Sequence, residues 1–404
     1  MGSVVNFINT NEINKYGYKC YDTKKVSLDN PNVSVLYNEI DEQDTAESEK
    51  YSKFAETDDK AVGSVEIPRD LIEDDDESIF KYFLDGSRHI FKIADMPIGP
   101  QVYPVMAGQI IVCCCKRHSR TEFRTEKVIS KLAISLPKKY KGPGKDEDFT
   151  KLFKEKLNNY LKNDYYANKV HMSIEDVFLY PTDGPDLDKK NKDRFTRSAM
   201  ATIQYEMTDA EQRLVQELCN SKPSKLNDES LMIKDGSLQY NPNYSFIGSA
   251  EWQRMRANYK YVVGVSKAFN PGLLNDYQGH PLTRTIAELE PRHRTKAYIY
   301  WSDLSKDISG RPLPFAVWYV RLRDKPFRTS AFSDVIKCEM IMNKDASKID
   351  SRKIDWISAN LIREAYPVCY GKDARWGNHL YPIYLTESLC KVNYIDDNVF
   401  MNLF

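Results

Sequence analysis

Short runs of apolar residues separated by turn residues mark the chain after residue 78. The segments IFKYFLD, HIFKIADM and YPVMAGQIIVCCCKR are rich in β-branched and aromatic residues, which predicts three consecutive antiparallel strands. In this interpretation Asp85 ends the first strand, and the Gly and Ser that follow turn the chain. The same Asp-Gly-Ser returns at Asp235 after the run LMIK. Either copy taken alone is typical of an ordinary hairpin turn.

Later periodic segments predict helices between strands. Residues 194–219 place apolar side chains at three- and four-residue steps, which predicts a helix facing a core. The runs TKAYIYWSD, FAVWYVRLR and VIKCEMIMN predict further strands, and Asp350 or Ser351 opens a second long helix. Three antiparallel runs, a helix and another strand ending in Asp are the order of an RNase H-like fold. The predicted class is therefore α/β, with a mixed sheet flanked by helices.

Composition suggests where ordered structure begins. Residues 38–60 are polar, acidic and aperiodic, which is typical of a solvated arm. We therefore predict an N-terminal segment over residues 1–75 and one larger domain over 76–404. Residues from about 120 to 193 are Lys-rich and include a helical pattern, so we interpret them as an inserted helical segment.

Charge and cysteine content narrow the class of protein only slightly. The 404 residues carry 58 basic and 58 acidic side chains, so any surface that binds nucleic acid must be local. The apolar runs are too short to cross a bilayer, and no Cys/His spacing typical of zinc is present among the eight cysteines. We expect a cytoplasmic protein that does not interact with membranes.

The two strand-end acids predict a metal site. If the strands that end at Asp85 and Asp235 are neighbours, their carboxylates lie side by side and repel unless a cation separates them. Oxygen ligands of this kind suit Mg²⁺ or Mn²⁺, which activate water and neutralise charge during phosphodiester cleavage. An acid on the long helix would complete the cluster.

The ordered motifs resemble the NurA nuclease family. The resemblance lies in LDGSR, IKDGSL, YVVGVSK, EAYPV and NHLYPIYLTE, which together run from residue 80 to residue 387. It implies a metal-dependent DNA nuclease with an RNase H-like core. It also implies a homodimer that acts with a HerA-type hexameric ATPase in DNA end processing or phage defence. The chain has no Gly-Lys-Ser/Thr phosphate loop, so an ATP-driven motor would be another chain.

The resemblance also implies the members of the site. Asp85 and Asp235 would be ligands of Mn²⁺ or Mg²⁺, and Tyr366 and His379 would belong to the same site. Spacing in the family favours Glu211 as the helix acid and Glu206 as the next choice. Glu206 and Glu217 lie eleven residues apart and share a helix face, whereas Glu211 points elsewhere.

Other residues have a functional and a purely structural interpretation. Lys267, at the end of a predicted strand, would contact the scissile phosphate or be an exposed strand-end Lys. Glu339 lies in an apolar run and would be a supporting ligand or, as we prefer, an outward-facing residue of an edge strand. The basic runs RTEFRTEKVISK and LPKKYKGPGK would track a DNA strand or form a solvated face.

Two alternatives to an active nuclease stay open at this point. One is a nucleic-acid-binding or assembly subunit of the same fold without metal chemistry. The other is a Piwi-like nuclease that depends on a guide strand, a class that shares the same core geometry.

Overall fold

The chain folds around one large mixed sheet. The computed structural model describes residues 2–14, 16–28, 52–60, 63–73, 77–171, 173–183, 193–239, 257, 259–306, 312–323, 330–343, 345, 347–369 and 376–404. Of the stretch expected as an acidic arm, residues 38–60, positions 38–51 lie outside this part of the chain. No helix of the described residues is long and apolar enough to span a bilayer.

The described strands belong to a single sheet. They are β1 (Tyr21–Ser27), β2 (Val65–Glu66), β3 (Phe80–Ile98), β4 (Gln101–Arg117), β5 (Phe123–Pro137), β6 (Ile174–Tyr180), β7 (Leu231–Asp235), β8 (Val262–Ser266), β9 (His293–Arg294), β10 (Tyr298–Lys306), β11 (Pro312–Arg321) and β12 (Val335–Ile341). Their order across the sheet is β2-β9-β11-β12-β8-β7-β3-β4-β5-β6, with β1 paired to β3 and β10 to β11. The β7 strand is parallel to both of its neighbours, β3 and β8, so the sheet is mixed.

Helices cover both faces of the sheet. They are α1 (Ser3–Thr10), α2 (Arg69–Glu73), α3 (Lys138–Lys141), α4 (Asp146–Leu161), α5 (Tyr165–Val170), α6 (Arg194–Asn220), α7 (Thr283–Glu288), α8 (Ser351–Glu364), α9 (Tyr381–Val392) and α10 (Asp397–Leu403). The predicted α6 is confirmed almost to the residue. The start of α8 is also confirmed, because Asp350 caps it by accepting a hydrogen bond from the Arg352 amide.

Two apolar cores lie on opposite faces of the sheet. On the face covered by α6, the "α6 face", Leu84 and Met232 pack with Ile203 of the helix. On the face covered by α8 and α9, the "α9 face", Phe83 and Ile233 belong to the second core. Side chains alternate between the faces of a strand, so these assignments also fix the faces of their neighbours.

The first Asp-Gly-Ser is not a turn. Residues 80–98 form one continuous strand in which Asp85, Gly86 and Ser87 pair with consecutive residues of β4. The prediction that Asp85 ends a strand was therefore wrong. The physical reason is that β3 is hydrogen-bonded on both sides, and this pairing overrides the local turn preference of Asp-Gly-Ser.

Residues expected within an insertion supply part of the sheet. The β5 strand pairs with β4 along most of its length and with β6 on its other side. Its last six residues are buried, including Ile134 and Leu136. Its Lys and Arg residues conceal the apolar alternation in the sequence, while their side chains pair with acids of other elements. Lys127 contacts Glu217 of α6 in this way.

The end of the expected acidic arm is packed rather than solvated. The Ala55 amide donates to the Ala297 carbonyl oxygen at 2.8 Å. Glu56 is fully buried and receives two hydrogen bonds from Arg294, at 3.0 and 2.9 Å. Charge pairing explains why an acidic segment enters the core here.

We expect Ile134→Ala to destabilise the whole protein, because this fully buried β5 side chain belongs to the core under α6. The free energy of unfolding should fall by about 2–5 kcal/mol in urea denaturation. Val392→Ala serves as the control, since Val392 is 82% exposed at the end of α9; its effect should stay within about 0.5 kcal/mol. A local loss of β5 structure that leaves the main transition unchanged would contradict this expectation.

Candidate active site

Asp85 and Asp235 lie next to each other on neighbouring parallel strands. In the pairing of β3 with β7, Leu84 is opposite Lys234, so the following residue on each strand is an Asp. Phe83 and Ile233 belong to the α9-face core, and alternation therefore directs both carboxylates to that face. At Asp235 the strand ends, and Gly236 turns the chain with a φ of +87°, a conformation that favours glycine.

The Asp85 carboxyl is buried among other acids. Asp85 is only 6% exposed, and its side chain makes no hydrogen bond or ion pair with any described residue. Burial raises the pKa of Asp85 well above its usual range, and the nearby Asp235, Glu387 and Glu211 carboxylates raise it further. Lys267 opposes this shift. A carboxyl in this environment gains most from a positive charge placed beside it.

Lys267 bridges two of these acids. Its Nζ lies 2.8 Å from Asp235 Oδ2 and 3.3 Å from Glu387 Oε2, and its side chain is 9% exposed. Burial alone would lower the pKa of this lysine, but Asp235 and Glu387 raise it above its usual range. Lys267 is therefore a charged strand-end residue directed into the cluster.

Glu387 and His379 extend the cluster along α9. Burial would raise the pKa of Glu387, but Lys267 and Lys391 outweigh it and lower that pKa to about 2. His379 Nδ1 lies 3.9 Å from Glu387 Oε2, and the residue is buried. The Tyr384 ring, 38% exposed, lies 6.1 Å from the His379 ring. The imidazole thus stands between an ionised carboxylate and an accessible aromatic ring.

Buried hydrogen bonds fix the segment that carries His379. The Asn378 side-chain amide donates to the carbonyl oxygens of Lys267, at 3.1 Å, and Val335, at 2.7 Å. Its oxygen accepts from the Asp334 amide at 2.8 Å. Arg323 donates to the Gly377 carbonyl oxygen. These bonds hold the residues before α9 against the end of β8, which Lys267 follows directly, and against the start of β12.

Glu211 approaches the site from the α6 face. It is buried and pairs with Lys234 Nζ at 3.0 Å, while the same Nζ donates to the Asp235 carbonyl oxygen at 3.0 Å. Burial raises the pKa of Glu211, although Lys234 opposes the shift. Gly86 makes the close approach possible, because a Cβ there would collide with the Glu211 carboxylate.

Glu206 does not lie with these acids. Its carboxylate contacts Lys131 of β5, which also pairs with Asp176 at 3.1 Å. Glu217, on the same helix face, contacts Lys127 four residues earlier on β5. The helix geometry expected from the sequence is thus present, and the acid that points elsewhere, Glu211, lies beside Gly86 and Lys234, the chain neighbours of Asp85 and Asp235.

Tyr366 occupies a more peripheral place. The residue is 54% exposed, its ring lies 5.4 Å from the Arg323 guanidinium, and its hydroxyl makes no hydrogen bond with a described residue. Because Arg323 holds the backbone of 377–379, Tyr366 is linked to His379 through that arginine. The structure shows no direct contact between Tyr366 and the acids in the described residues.

Glu339 corrects an expectation from the sequence. It does not face outward on an edge strand, because β12 lies between β11 and β8 and the residue is fully buried. Its Oε1 accepts hydrogen bonds from Ser237 Oγ and the Leu238 amide. Local sequence does not specify the order of strands in a sheet, so the central position of β12 was not predictable from its apolar run.

The basic runs of the sequence are largely committed to ion pairs within the chain. Lys138 and Lys141 each lie 2.7 Å from Asp146, and Lys139 lies 3.2 Å from Asp183. Such pairs are typical of a solvated charged face. These lysines therefore offer a nucleic acid less free positive charge than their number suggests.

The donor set of the site fits a hard divalent cation. Asp85, Asp235, Glu211 and Glu387 supply four carboxyl groups against two buried lysines, Lys234 and Lys267, and the exposed Lys391, and Asp85 has no described hydrogen-bond partner. Within the described residues, no three His, Cys, Asp or Glu side chains are already grouped as a coordination shell. The position between Asp235 and Glu387 is held by the Lys267 ammonium.

Two members of the cluster were not singled out in the sequence. Lys234 directly precedes Asp235. A lysine at this place in the sequence is typical of an exposed strand residue. Glu387 is one of several polar residues near the end of the chain. Its spacing of eight residues from His379 gives no signal on its own, because an extended segment and a helix start separate them.

The chain resembles known proteins only distantly, at the level of structure. No model of a known protein family matches it, and no curated protein matches it. The crystal structure of the NurA nuclease from Sulfolobus solfataricus is similar over 89% of this chain and 88% of that one, with a TM-score of 0.38 and 12% identity. A likeness at this level describes general arrangement and assigns no activity. By its own structure the chain is a mixed α/β protein with a carboxylate-rich site.

We expect Asp85→Asn to stabilise the metal-free protein at neutral and alkaline pH. Because the pKa of Asp85 is raised on folding, the wild type loses stability as pH rises from the unfolded-state pKa through the folded-state pKa, and Asn removes this loss. The gain in unfolding free energy at pH 8 should exceed about 1 kcal/mol, since one pKa unit corresponds to about 1.4 kcal/mol.

The measurement is urea unfolding in a chelator at pH 4 and pH 8, with the difference between variants absent or small at pH 4. Asp95→Asn is the matched control on the same strand, since Asp95 is 29% exposed and pairs with Lys92 at 2.8 Å. Its effect should be below about 1 kcal/mol at both pH values. If the two variants change the free energy of unfolding equally at both pH values, the surroundings of Asp85 do not raise its pKa on folding.

Proposed function

We propose that the chain is a divalent-metal-dependent DNA nuclease that hydrolyses phosphodiester bonds. The observation that carries this proposal is the pair of acids on adjacent parallel strands, Asp85 and Asp235, one of them buried without a hydrogen-bond partner among the described residues. Paired carboxylates of this kind support metal-dependent phosphoryl chemistry. The motifs that resemble the NurA family fall on the same elements and add support.

The cation would be held by Asp85 and Asp235, with Glu387 on the α9 face and Glu211 on the α6 face as supporting carboxylates. Oxygen ligands favour Mg²⁺ or Mn²⁺ over softer ions. When bound, such an ion supplies Lewis acidity, which acidifies water and neutralises charge that develops on phosphate oxygens. Lys267 would have to release at least one of its two carboxylate contacts to admit it.

The protein's own side chains would position the phosphate and handle protons. The Lys267 ammonium, once released from Asp235 or Glu387, remains near the cluster and can bind a non-bridging phosphate oxygen. His379 can accept or donate a proton near neutral pH, and its Nδ1 lies 3.9 Å from Glu387 Oε2. The exposed Tyr384 ring offers a stacking surface for a base next to that imidazole.

The family resemblance supports a wider assignment. We propose an RNase H-like nuclease domain over residues 76–404, with residues 1–75 as an N-terminal segment that adds β1 to the sheet and about 120–193 as an insertion that adds β5 and β6. The partners would be DNA, a second copy of the chain and a HerA-type hexameric ATPase in the cytoplasm. The process would be DNA end processing or phage defence.

A second candidate function is a DNA-binding or assembly subunit without nuclease activity. The observation that favours it is Lys267, whose ammonium already balances Asp235 and Glu387. In such a protein the lysine would permanently replace the cation. The two candidates differ in whether the purified chain binds Mn²⁺.

We expect the purified protein to degrade linear DNA with Mn²⁺ or Mg²⁺, and Asp85→Ala and Asp235→Ala each to abolish this activity. Loss of a metal-ligating carboxylate should reduce the rate by at least about 100-fold, because charge stabilisation by the ion supplies several kcal/mol. Cleavage is followed on gels with labelled substrate. Asp95→Ala, at a partly exposed position ten residues further along the same strand, is the control and should cleave at the wild-type rate.

Equal cleavage by wild type and both Asp variants would contradict the assignment. DNA binding without cleavage, together with no Mn²⁺ binding, would establish the non-catalytic candidate. Cleavage that appears only when a guide strand is added would establish a Piwi-like activity instead.

We expect Lys267→Met to bind Mn²⁺ more tightly than the wild type yet to cleave DNA more slowly. The substitution removes a positive charge that competes for Asp235 and Glu387 but also removes the ammonium available to the phosphate. Affinity measured by calorimetry should rise about tenfold, equivalent to about 1.4 kcal/mol, while cleavage should fall by a similar factor.

Lys131→Met is the matched control for this test. Lys131 is also a partly buried lysine between two acids, Glu206 and Asp176, but it lies on β5 away from the cluster. Its replacement should leave Mn²⁺ affinity unchanged. Weaker Mn²⁺ binding by Lys267→Met would show that the lysine supports the cation instead of competing with it.

A further inference from the structure

A buried carboxylate on β12 holds the turn that follows Asp235. Glu339 is fully buried, and its Oε1 accepts a hydrogen bond from Ser237 Oγ at 2.6 Å and another from the Leu238 backbone amide. These two donors come from the second and third residues after the aspartate at the end of β7. One carboxylate oxygen therefore fixes both a side chain and the backbone of the turn.

The surroundings of Glu339 are shaped for this contact. Gly264 is its register partner on β8, and a Cβ there would lie only 3.0 Å from Glu339 Cγ and 2.7 Å from a Leu238 side-chain atom. Because Gly264 has no side chain, Glu339 has room to reach across β8 to the turn. Lys337 Nζ lies 3.6 Å from Glu339 Oε2, and both side chains are fully buried, so the charge is balanced inside the sheet.

The turn is anchored from both sides of the aspartate. Before it, Lys234 Nζ donates to the Asp235 carbonyl oxygen at 3.0 Å. After it, the Gly236 amide donates to the Val265 carbonyl oxygen at 2.8 Å. Glu339 then holds the next two residues. With these contacts in place, the Asp235 backbone has little freedom to rotate its carboxylate away from Asp85.

The serines of the two Asp-Gly-Ser copies also have different structural partners. Ser87 Oγ, in the first copy, lies 2.6 Å from the hydroxyl of Tyr394 beyond α9. Ser237, in the second copy, donates to Glu339. In neither copy does the serine hydroxyl contact the aspartates of the cluster among the described residues. The contact made by Ser237 is the one that connects β12 to the site.

We propose that Glu339 is a positioning residue that sets the orientation of Asp235 for cation binding through Ser237 and Leu238. This inference rests on the proposed metal-dependent function and extends it to a strand that carries none of the candidate ligands. Groups that orient metal ligands typically account for about 10- to 100-fold in metal affinity. Glu339 therefore contributes to the site although it contacts neither the cation nor DNA.

The test compares Glu339→Ala with Glu339→Gln in the full-length protein. Alanine removes both hydrogen bonds, whereas glutamine keeps a carbonyl oxygen that can accept them and loses only the charge. We expect Glu339→Ala to weaken Mn²⁺ binding, measured by electron paramagnetic resonance of free Mn²⁺, by about 10- to 100-fold. Glu339→Gln should retain an affinity within about threefold of the wild type, since it preserves the orienting contacts.

Glu56→Ala is the control for loss of a buried charge. Glu56 is also fully buried, pairs with a buried cation, Arg294, and accepts a hydrogen bond from a backbone amide, that of Ala297 at 2.7 Å. It lies beside β9 and β10, away from Asp85 and Asp235. Its loss should destabilise the fold as Glu339→Ala does but leave Mn²⁺ affinity at the wild-type value.

Hydrogen exchange provides a readout that does not depend on metal or activity. Without metal, Glu339→Ala should accelerate exchange of the Leu238 amide, while Glu56→Ala should leave it unchanged. If the wild type binds Mn²⁺ and Glu339→Ala binds it with the same affinity, the positioning role alone is overturned. Failure of the wild type to bind Mn²⁺ would overturn the proposed function and, with it, the role of Glu339 at the site.

Discussion

The parallel pairing of β3 with β7 is the constraint on which the site depends. Parallel strands in register place equivalent residues at the same level of the sheet, and here that level carries Asp85 and Asp235. On the other side of β7, Val265 of β8 is the register partner of Asp235, and Lys267, two residues further along, places its ammonium 2.8 Å from the Asp235 carboxylate. A shift of one residue in this pairing would send one carboxylate to the opposite face and separate the pair.

The arrangement concentrates negative charge where water is largely excluded. Folding must therefore supply compensating contacts, and it does so on both faces of the sheet. On the α9 face Lys267 contacts Asp235 and Glu387, and on the α6 face Lys234 contacts Glu211. Asp85 is the member left without such a contact in the described residues. This unpaired buried carboxyl is the feature that supports the proposed cation site over an ordinary buried ion pair.

The sequence predicts features that depend on residues close together in the chain. It does not predict features that depend on which strands are neighbours in the sheet. The α6 and α8 helices follow from side-chain periodicity and an Asp cap, and the pairing of Glu206 and Glu217 on one helix face follows from geometry. That Asp85 and Asp235 meet was also predictable, although for a partly wrong reason. Asp85 was expected at the end of a strand, whereas it lies within one that continues for thirteen more residues.

What could not be predicted involves contacts across strands. The central position of β12, and with it the burial of Glu339, depends on strand order, which no local pattern encodes. The β5 strand was concealed by lysines whose acidic partners lie on other elements. Glu387 joins the cluster only because α9 packs against β3 and β7, a contact set by tertiary packing.

The two aspartates differ in how they are supported. Asp85 lies within a strand and pairs there with Cys113 of β4, whereas Asp235 lies at the start of a turn held by side chains. One acid of the pair is consequently held by backbone pairing and the other by side-chain hydrogen bonds. Substitutions among the side chains that hold the turn would therefore displace one carboxylate and leave the other in place.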